Sequence, residues 1–254
     1  MTLDELFESA KARAQAAPSD LKARSALWQI FAARGEFARA KTQLDNLLRV
    51  DASWALEVQS CYGLMAAEEK RLAVFAGTHT PTCLGDPPPW FGAQAAALPL
   101  FAAGKDAVAL ELVAQAQQLS PALGGSLNGE AFEWLCDGDA RLGPCLEVIA
   151  QGGYYWVPFS AITSLTSEPP TELRDRIWQR AMLDVANQGA IEIFLPARYP
   201  APVDDAHRLG QRTDWRELSD TMFIGSGQKV LFTDRRDTAL LDIRTLAFVA
   251  PAAA

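Results

Sequence analysis

Apolar residues return every three or four positions from Leu3 to about Ala122, which is the spacing of a helix with one buried face. Proline and glycine divide this stretch, and Ser19 or Asp20 can cap a helix that begins near Leu21. The predicted helices cover residues 2–16, 21–34, 36–51 and 54–75. A proline-rich loop is predicted over residues 77–89. The first half of the chain is therefore predicted to be all α.

The helix pair on either side of Gly35 resembles a tetratricopeptide repeat. In that pattern of about 34 residues, a glycine ends the first helix, an aromatic residue follows, and a small residue sits where the two helices cross. Gly35, Phe37 and Ala40 fill these places, and the frame recurs 69 residues later at Gly104 and Ala109. Two units in one frame predict a helical domain over residues 1–122. Its stacked helices would offer a concave face to an amphipathic helix.

The pattern changes near Gly124, where alanine becomes rarer and short runs of alternating apolar and polar residues begin. The predicted strands cover residues 132–136, 146–150, 154–157, 191–195, 229–232, 239–243 and 246–249. A hairpin turn is predicted over 233–238 and a short helix over 171–178. Scattered short strands predict a mostly antiparallel α+β domain over residues 125–254. The fold class of the whole chain is then α+β, with helical hairpins first.

The charge of the chain is acidic and dispersed. The 254 residues carry a net charge of −8, and no group of lysines and arginines is longer than a pair. We therefore expect neither a nucleic-acid surface nor electrostatic membrane binding. The first eight residues lack the basic start and apolar core of a signal peptide, and the weakly polar stretch 91–103 is too short to span a bilayer. The expected location is the cytoplasm.

The residues that bind metals are sparse and badly spaced for that purpose. The four cysteines are Cys61, Cys83, Cys136 and Cys145. No two of them have the short spacing that lets two thiolates hold one metal ion. His79 and His207 are the two histidines, and neither has a ligand partner at helical spacing. The cluster of Asp204, Asp205 and His207 is interpreted as a solvated polar face. No metal or cofactor is expected.

Two short motifs could carry chemistry but are better explained by turns. Gly225-Ser226-Gly227 lacks the spacing of a nucleophile elbow and the ending of a phosphate loop, so a turn between strands is predicted. The segment 137–141 (DGDAR) lacks the further ligands of a calcium loop, and a contact between Asp139 and Arg141 is predicted instead. No set of catalytic residues is identified.

Several phrases of the second half, taken in order, are similar to the ImpE/SciE/TagJ family of accessory proteins encoded in type VI secretion loci. The phrases are 132–149 (FEWLCDGDARLGPCLEVI), 153–159 (GYYWVPF), 169–170 (PP) with 173–175 (LRD), 195–200 (LPARYP), 225–231 (GSGQKVL) and 240–244 (LLDIR). The chain departs from the family at Ala197, where threonine is expected, and at Ser226, where leucine is usual. The family also has a helical, repeat-like N-terminal region, so the resemblance covers nearly the whole chain.

The resemblance implies a cytoplasmic accessory subunit without enzymatic activity. The partners it implies are the small subunit of the contractile sheath and, for some members, the AAA+ ATPase that recycles contracted sheath. Two other classes of function stay open on the sequence. The chain could be a general peptide-binding co-chaperone, or its C-terminal domain could be an unrecognised hydrolase, which a pocket with convergent carboxylates of raised pKa would support.

Aromatic and arginine side chains, which are enriched at binding hot spots, provide the candidate protein-binding residues. They are Trp54, Trp134, Arg141, Arg198, Tyr199 and Trp215. For most of the aromatic residues, packing in the core is the alternative interpretation. Arg141 and Arg198 are expected either to pair with a carboxylate or to face a partner.

Overall fold

The computed structural model describes residues 2–17 and 20–249, and its first half is helical as predicted. The helices are α1 Leu3–Ala16, α2 Leu21–Arg34, α3 Phe37–Val50, α4 Ala55–Phe75, α5 Phe91–Ala102, α6 Asp106–Leu119 and the one-turn α7 Asp205–Arg208. The predicted cap Ser19 lies outside the described residues. Asp20 does cap α2, because its side chain accepts the amide hydrogens of Lys22 and Ala23.

The two predicted helical hairpins are confirmed. Gly35 and Gly104 have φ angles of +78° and +69°, the left-handed conformation that ends a helix and that favours glycine. Ala40 and Ala109, the small residues of the frame, are fully buried. A small residue in the repeat frame therefore has the packing role that the sequence indicated.

The second half is a set of antiparallel strands, which confirms the predicted α+β class. The strands are β1 Gly125–Leu127, β2 Glu130–Phe132, β3 Leu135–Asp137, β4 Cys145–Ala150, β5 Gly153–Pro158, β6 Ile162–Ser167, β7 Trp178–Val185, β8 Gly189–Pro196, β9 Thr213–Ser219, β10 Met222–Gly227, β11 Val230–Thr233, β12 Asp237–Ala239 and β13 Thr245–Phe248. Eight form one sheet in the order β2-β1-β13-β6-β7-β8-β4-β5. β12, β11 and β3 form a second sheet, and β9 and β10 form a separate hairpin.

Three of the predicted strands and helices are wrong. The strand predicted over 132–136 is divided between β2 and β3. The strand predicted over 239–243 is replaced by a 3-10 turn, Leu240–Asp242, after β12. The helix predicted over 171–178 is a single 3-10 turn, Arg174–Arg176. It stops there because Trp178 begins β7 and is drawn into the core, where its indole donates to Glu68 of α4.

The helical half and the sheet share one hydrophobic core. Trp156 of β5 packs against Phe75 and Phe91 with ring centroids 6.5 and 6.1 Å away, and Trp178 packs against Phe37. Gln29 of α2 also bonds across to the segment that precedes β7. This side of the helical half is thus covered by the chain itself. The division into domains 1–122 and 125–254 stays a prediction.

No helix among the described residues is long and apolar enough to cross a membrane.

Candidate protein-binding site and buried charge network

The six predicted binding residues do not form one surface. Trp54 ends a 3-10 turn before α4 and packs partly buried against the helical core. Trp134 lies between β2 and β3, and 41% of its surface is exposed. Three of the six lie close together on the C-terminal half: Arg141, Tyr199 and Trp215. Asp139 pairs with Arg141 and also accepts the amide hydrogen of Gly225 in β10. Gly225 lies against the ring of Tyr199, which packs on Trp215. The sequence places these residues on separate phrases, so their assembly depends on the fold.

Tyr199 is a core residue, which corrects its prediction as a surface contact. Only 1% of its surface is exposed, and its hydroxyl donates to Asp137 at 2.8 Å. Its ring lies 5.6 Å from that of Trp215, itself 5.3 Å from Phe232. The ring fits here because Gly225 has no side chain to displace it. Trp215 is half-buried in the same stack.

Arg141 pairs with Asp139, which confirms the predicted contact. Its Nε lies 2.9 and 3.2 Å from the two carboxylate oxygens, and its Nη2 lies 2.5 Å from Oδ2. The same carboxylate accepts the amide hydrogen of Gly225 at 2.9 Å. This bidentate pair fixes β10 to the turn after β3. A contact of Arg141 with a partner protein stays a prediction.

Arg198 differs from Arg141 in its partners. Its Nη1 donates to the backbone carbonyls of Ala33 and Arg208, at 3.1 and 2.5 Å. Within residues 2–17 and 20–249, no carboxylate accepts a hydrogen bond from it. Burial lowers the pKa of Arg198 to about 10; Glu68 opposes this change, and Arg71 adds to it. Arg198 was expected either to pair with a carboxylate or to face a partner. The first of these is not observed.

A buried charge network joins the helical half to the sheet, and we define it by Arg71, Glu147, Lys229, Asp137 and Glu68. Glu147 of β4 accepts from Arg71 Nε and Nη2 of α4, at 2.7 and 3.1 Å. It also accepts from Lys229. Burial alone would raise the pKa of Glu147, but the charges of Arg71 and Lys229 lower it to about 2. Glu147 is therefore ionised in the core.

Within the network Glu68 binds Arg71, and Tyr154 next to the network binds Glu147. Glu68 accepts from Arg71 Nη1 at 2.9 Å and from the Trp178 indole at 3.0 Å. The Tyr154 hydroxyl donates to Glu147 at 2.6 Å. The sequence interpretation did not identify the network, although a glutamate in the middle of the apolar strand 145–150 (CLEVIA) was a signal that a buried cation lies opposite.

Asp137 is a carboxyl of the network whose pKa is raised, in contrast to that of Glu147. Burial raises it to about 6, against the lowering effect of Lys229, whose Nζ lies 3.6 Å from Oδ2. Asp139 adds a raising effect, and Tyr199 donates to the other oxygen. This carboxyl is enclosed by protein side chains, so its pKa does not support the hydrolase alternative.

Unfolding experiments are expected to show stability rising as the pH falls from about 7 to about 4. Folded Asp137, with a pKa of about 6, holds its proton more tightly than the unfolded chain, at 3.8. Protonation in this range therefore favours folding, by up to about 3 kcal/mol for this group. Below about pH 4 the sign reverses, because the lowered pKa of Glu147 makes further acid destabilising.

Urea unfolding of the wild type and of Asp137→Asn, from pH 7.5 to 3, tests this dependence. The variant is expected to show a smaller rise in stability between pH 7 and 4. Equal rises in both proteins would mean that Asp137 does not carry the effect.

Several side chains of the kinds used in catalysis are buried. Burial raises the pKa of Cys61 and Cys136 to about 12, so their reactive thiolates are disfavoured. The Ser226 hydroxyl is buried without a hydrogen-bond partner, and it lies within β10 rather than in the predicted turn. His207 is fully buried between Asp204 and Asp214, which corrects its prediction as part of a solvated face. Among the described residues, no group of three could hold a metal ion.

A cleft of about 540 Å³ lies where α4 meets the sheet, and we call it the α4 cleft. Its lining residues are Gln59, Ser60, Gly63, Leu64, Ile149, Gln151, Gly152, Ile191, Glu192 and Phe194. A Cβ on Gly63 would lie 3.3 Å from Gly152 Cα, so glycine lets α4 approach the β4–β5 turn. Leu56 lies one turn before Ser60 on the same face of α4, and 86% of its surface is exposed.

The α4 cleft thus has an apolar floor and a polar, mostly uncharged rim. Leu64 and Ile149 are buried in the floor, whereas Ile191 and Phe194 are half-buried. Glu192, the charged member of the lining, pairs with Arg180 outside the cleft. Such a surface suits the apolar stripe of an amphipathic segment.

Comparisons with known proteins identify the family of the chain and a solved structure with the same fold. The family model described as ImpE protein matches residues 129–247. The type VI secretion system accessory component TagJ of Pseudomonas aeruginosa strain PAO1 is 40% identical over 249 residues, which are 97% of this chain and 87% of that protein. The crystal structure of protein VPA1032 from Vibrio parahaemolyticus has the same fold, with a TM-score of 0.87, 24% identity and coverage of 98% and 95% of the two chains. The chain belongs to the ImpE/SciE/TagJ family.

Proposed function

We propose that the chain is a non-catalytic accessory protein of a bacterial type VI secretion system and that it acts in the cytoplasm by binding other proteins of that system. The observation that carries this proposal is the 40% identity, over 97% of the chain, to a protein named as such an accessory component. The raised thiol pKa values and the enclosed carboxyl of Asp137 are consistent with a binding role.

The partner we propose is the small subunit of the contractile sheath, bound through one of its amphipathic helices in the α4 cleft. The family resemblance supports this subunit, and the AAA+ ATPase that recycles the sheath is the second partner it supports. The cleft fits a helix because its floor is apolar and the exposed Leu56 lies on the same face of α4, one turn before Ser60 of the rim. Leu56 would give the bound helix an apolar side chain to cover beside the cleft.

Replacing Leu56 with aspartate is expected to weaken binding of the small sheath subunit at least about tenfold, or ~1.4 kcal/mol. The change places a charge where the helix would bury an apolar side chain. The thermal midpoint should stay within a few degrees of wild type, since Leu56 contributes little to the core. Isothermal titration calorimetry with the purified full-length proteins measures the effect.

Val108→Asp on α6 is the matched control, because Val108 is also an exposed apolar residue on a helix. It should bind like wild type. If wild type and Leu56→Asp bind the small sheath subunit with equal affinity, the α4 cleft is not the binding site. Equal affinity of the wild type for the sheath subunit and for unrelated amphipathic helices would instead favour the general co-chaperone.

A further inference from the structure

A second cavity, of about 140 Å³, lies beside Arg198 at the C-terminal end of α2, and we call it the Arg198 pocket. Its lining residues are Ala32, Ala33, Arg34, Gly35, Phe37, Glu68, Arg71, Leu72, Ile177, Arg198, Tyr199, Pro200, Ala201, Pro202 and Arg208. Four arginines and one glutamate are the charged members of this lining. The pocket is therefore rich in positive charge although the chain as a whole is acidic.

Three of the four arginines have carboxylate partners. Arg71 is held by Glu147 and Glu68, Arg34 pairs with Asp4 at 2.5 Å, and Arg208 lies 3.5 Å from Asp205. Arg198 has none within the described part of the chain. Glu68 acts on Arg198 only from beyond ion-pair distance. A largely buried cation without a directly bonded carboxylate is unfavourable, and an anion placed beside it would relieve that cost.

The Arg198 guanidinium leaves one edge for such an anion. Nη1 is occupied by the carbonyls of Ala33 and Arg208, whereas Nε and Nη2 bond to no described residue. These two nitrogens form the planar fork that binds a carboxylate through two parallel hydrogen bonds. A lysine at this position could not offer the same geometry.

The charge of the ligand is limited by the end of α2. The carbonyls near Ala33 carry the negative end of the helix dipole, and Glu68 adds a full negative charge to the lining. A group with a single negative charge is therefore favoured over the doubly charged form of phosphate. At the rim, Leu72 and Pro202 are apolar, and 41% of the surface of Leu72 is exposed. This combination fits an acidic side chain that has apolar neighbours.

We propose that the Arg198 pocket binds a carboxylate group, and that the carboxylate is presented by an acidic side chain of a protein partner. The second clause rests on the proposed function, because it assumes that the chain binds other proteins. The first clause does not. The pocket is a site separate from the α4 cleft, and the two linings share no residue.

The test follows the guanidinium Nε–H signals of ¹⁵N-labelled full-length protein by NMR. Sodium acetate, sodium chloride and sodium phosphate are added at equal ionic strength. Acetate is expected to shift the Arg198 signal saturably, with a dissociation constant on the order of millimolar, and phosphate and chloride are expected to shift it less. Equal shifts with acetate and chloride, or a larger saturable shift with phosphate, would overturn the carboxylate site.

Two variants keep the result independent of folding defects. Arg198→Lys keeps the charge and removes the fork, and Arg208→Gln removes a charge from a partly exposed part of the lining. In Arg198→Lys the backbone amide shifts of neighbouring Tyr199 and Ala33 report on acetate in place of the lost signal. Acetate affinity should fall at least about threefold in Arg208→Gln. Unchanged affinity in both variants would contradict the assignment.

A peptide pair distinguishes the source of the carboxylate. The acetylated, amidated tripeptide Leu-Asp-Leu is compared with Leu-Asn-Leu, which has the same shape without the charge. The aspartate peptide is expected to bind wild type at least about tenfold more tightly than the asparagine peptide, and this ratio should disappear in Arg198→Lys. If acetate binds as tightly as the aspartate peptide, a free small carboxylate is the ligand and the partner clause fails. The peptide experiment uses no sheath subunit. A negative result therefore does not bear on binding of the sheath subunit in the α4 cleft, which the Leu56→Asp titration tests separately.

Discussion

Replacing Glu147 with alanine is expected to lower the free energy of unfolding by about 3–5 kcal/mol. The carboxylate is fully buried and accepts from Arg71 and Lys229 at once. Its removal leaves two buried cations, with Glu68 and Asp137 as their nearest remaining partners. Urea unfolding followed by circular dichroism at pH 7 measures the loss.

Glu192→Ala is the control for Glu147→Ala, because Glu192 is also a strand glutamate that pairs with an arginine. Both side chains of that pair are more than half exposed, at 54% for Glu192 and 61% for Arg180. Its loss should cost less than about 1 kcal/mol. Similar losses of unfolding free energy in Glu147→Ala and Glu192→Ala would contradict a stabilising role of the buried network.

Gly225→Ala is expected to destabilise the fold by about 1–3 kcal/mol or more through overpacking. A Cβ at this position would lie 2.2 Å from Cε2 of Tyr199. The ring cannot move away easily, since its hydroxyl is bonded to Asp137 and its face is packed against Trp215. Thermal unfolding gives the change, and the same substitution in a Tyr199→Ala background should cost little.

Ser226→Ala tests the neighbouring position of the same motif. The Ser226 hydroxyl is buried without a partner, so its removal should leave stability unchanged or slightly raised. A loss as large as that of Gly225→Ala would contradict the packing account of the motif.

Local signals in the sequence were sufficient for the helical half. Gly35 and Gly104 end helices because they can adopt positive φ, and Ala40 and Ala109 are small enough to be fully buried. Each of these effects depends on residues within a few positions, so periodicity and single residue types could predict it.

Several strands were missed because their alternation depends on distant contacts. In β9, Trp215 and Leu218 pack against two different hydrophobic clusters, and Arg216 between them pairs with Asp106 of α6 at 2.6 Å. Because of the charged residues in this strand, apolar and polar residues do not alternate clearly along its sequence. The hairpin is folded against helices more than 90 residues earlier, which no local pattern contains.

The candidate site was predicted only where its contacts are local. Asp139 and Arg141 are two residues apart, and their pairing followed from the turn. Arg71 and Glu147 are 76 residues apart, so their pairing depends on how α4 docks on the sheet. Tyr199 was assigned to the surface because the sequence could not show that Gly225 lies beneath its ring.

Hydrogen–deuterium exchange of the full-length chain, with and without the purified small sheath subunit, tests the proposed binding site most directly. The account predicts slower exchange on binding in residues 55–64, 149–152 and 191–194, which surround the α4 cleft. Exchange elsewhere on the helical half should be unchanged. Binding with protection only outside these three segments, or no binding at all, would contradict the account.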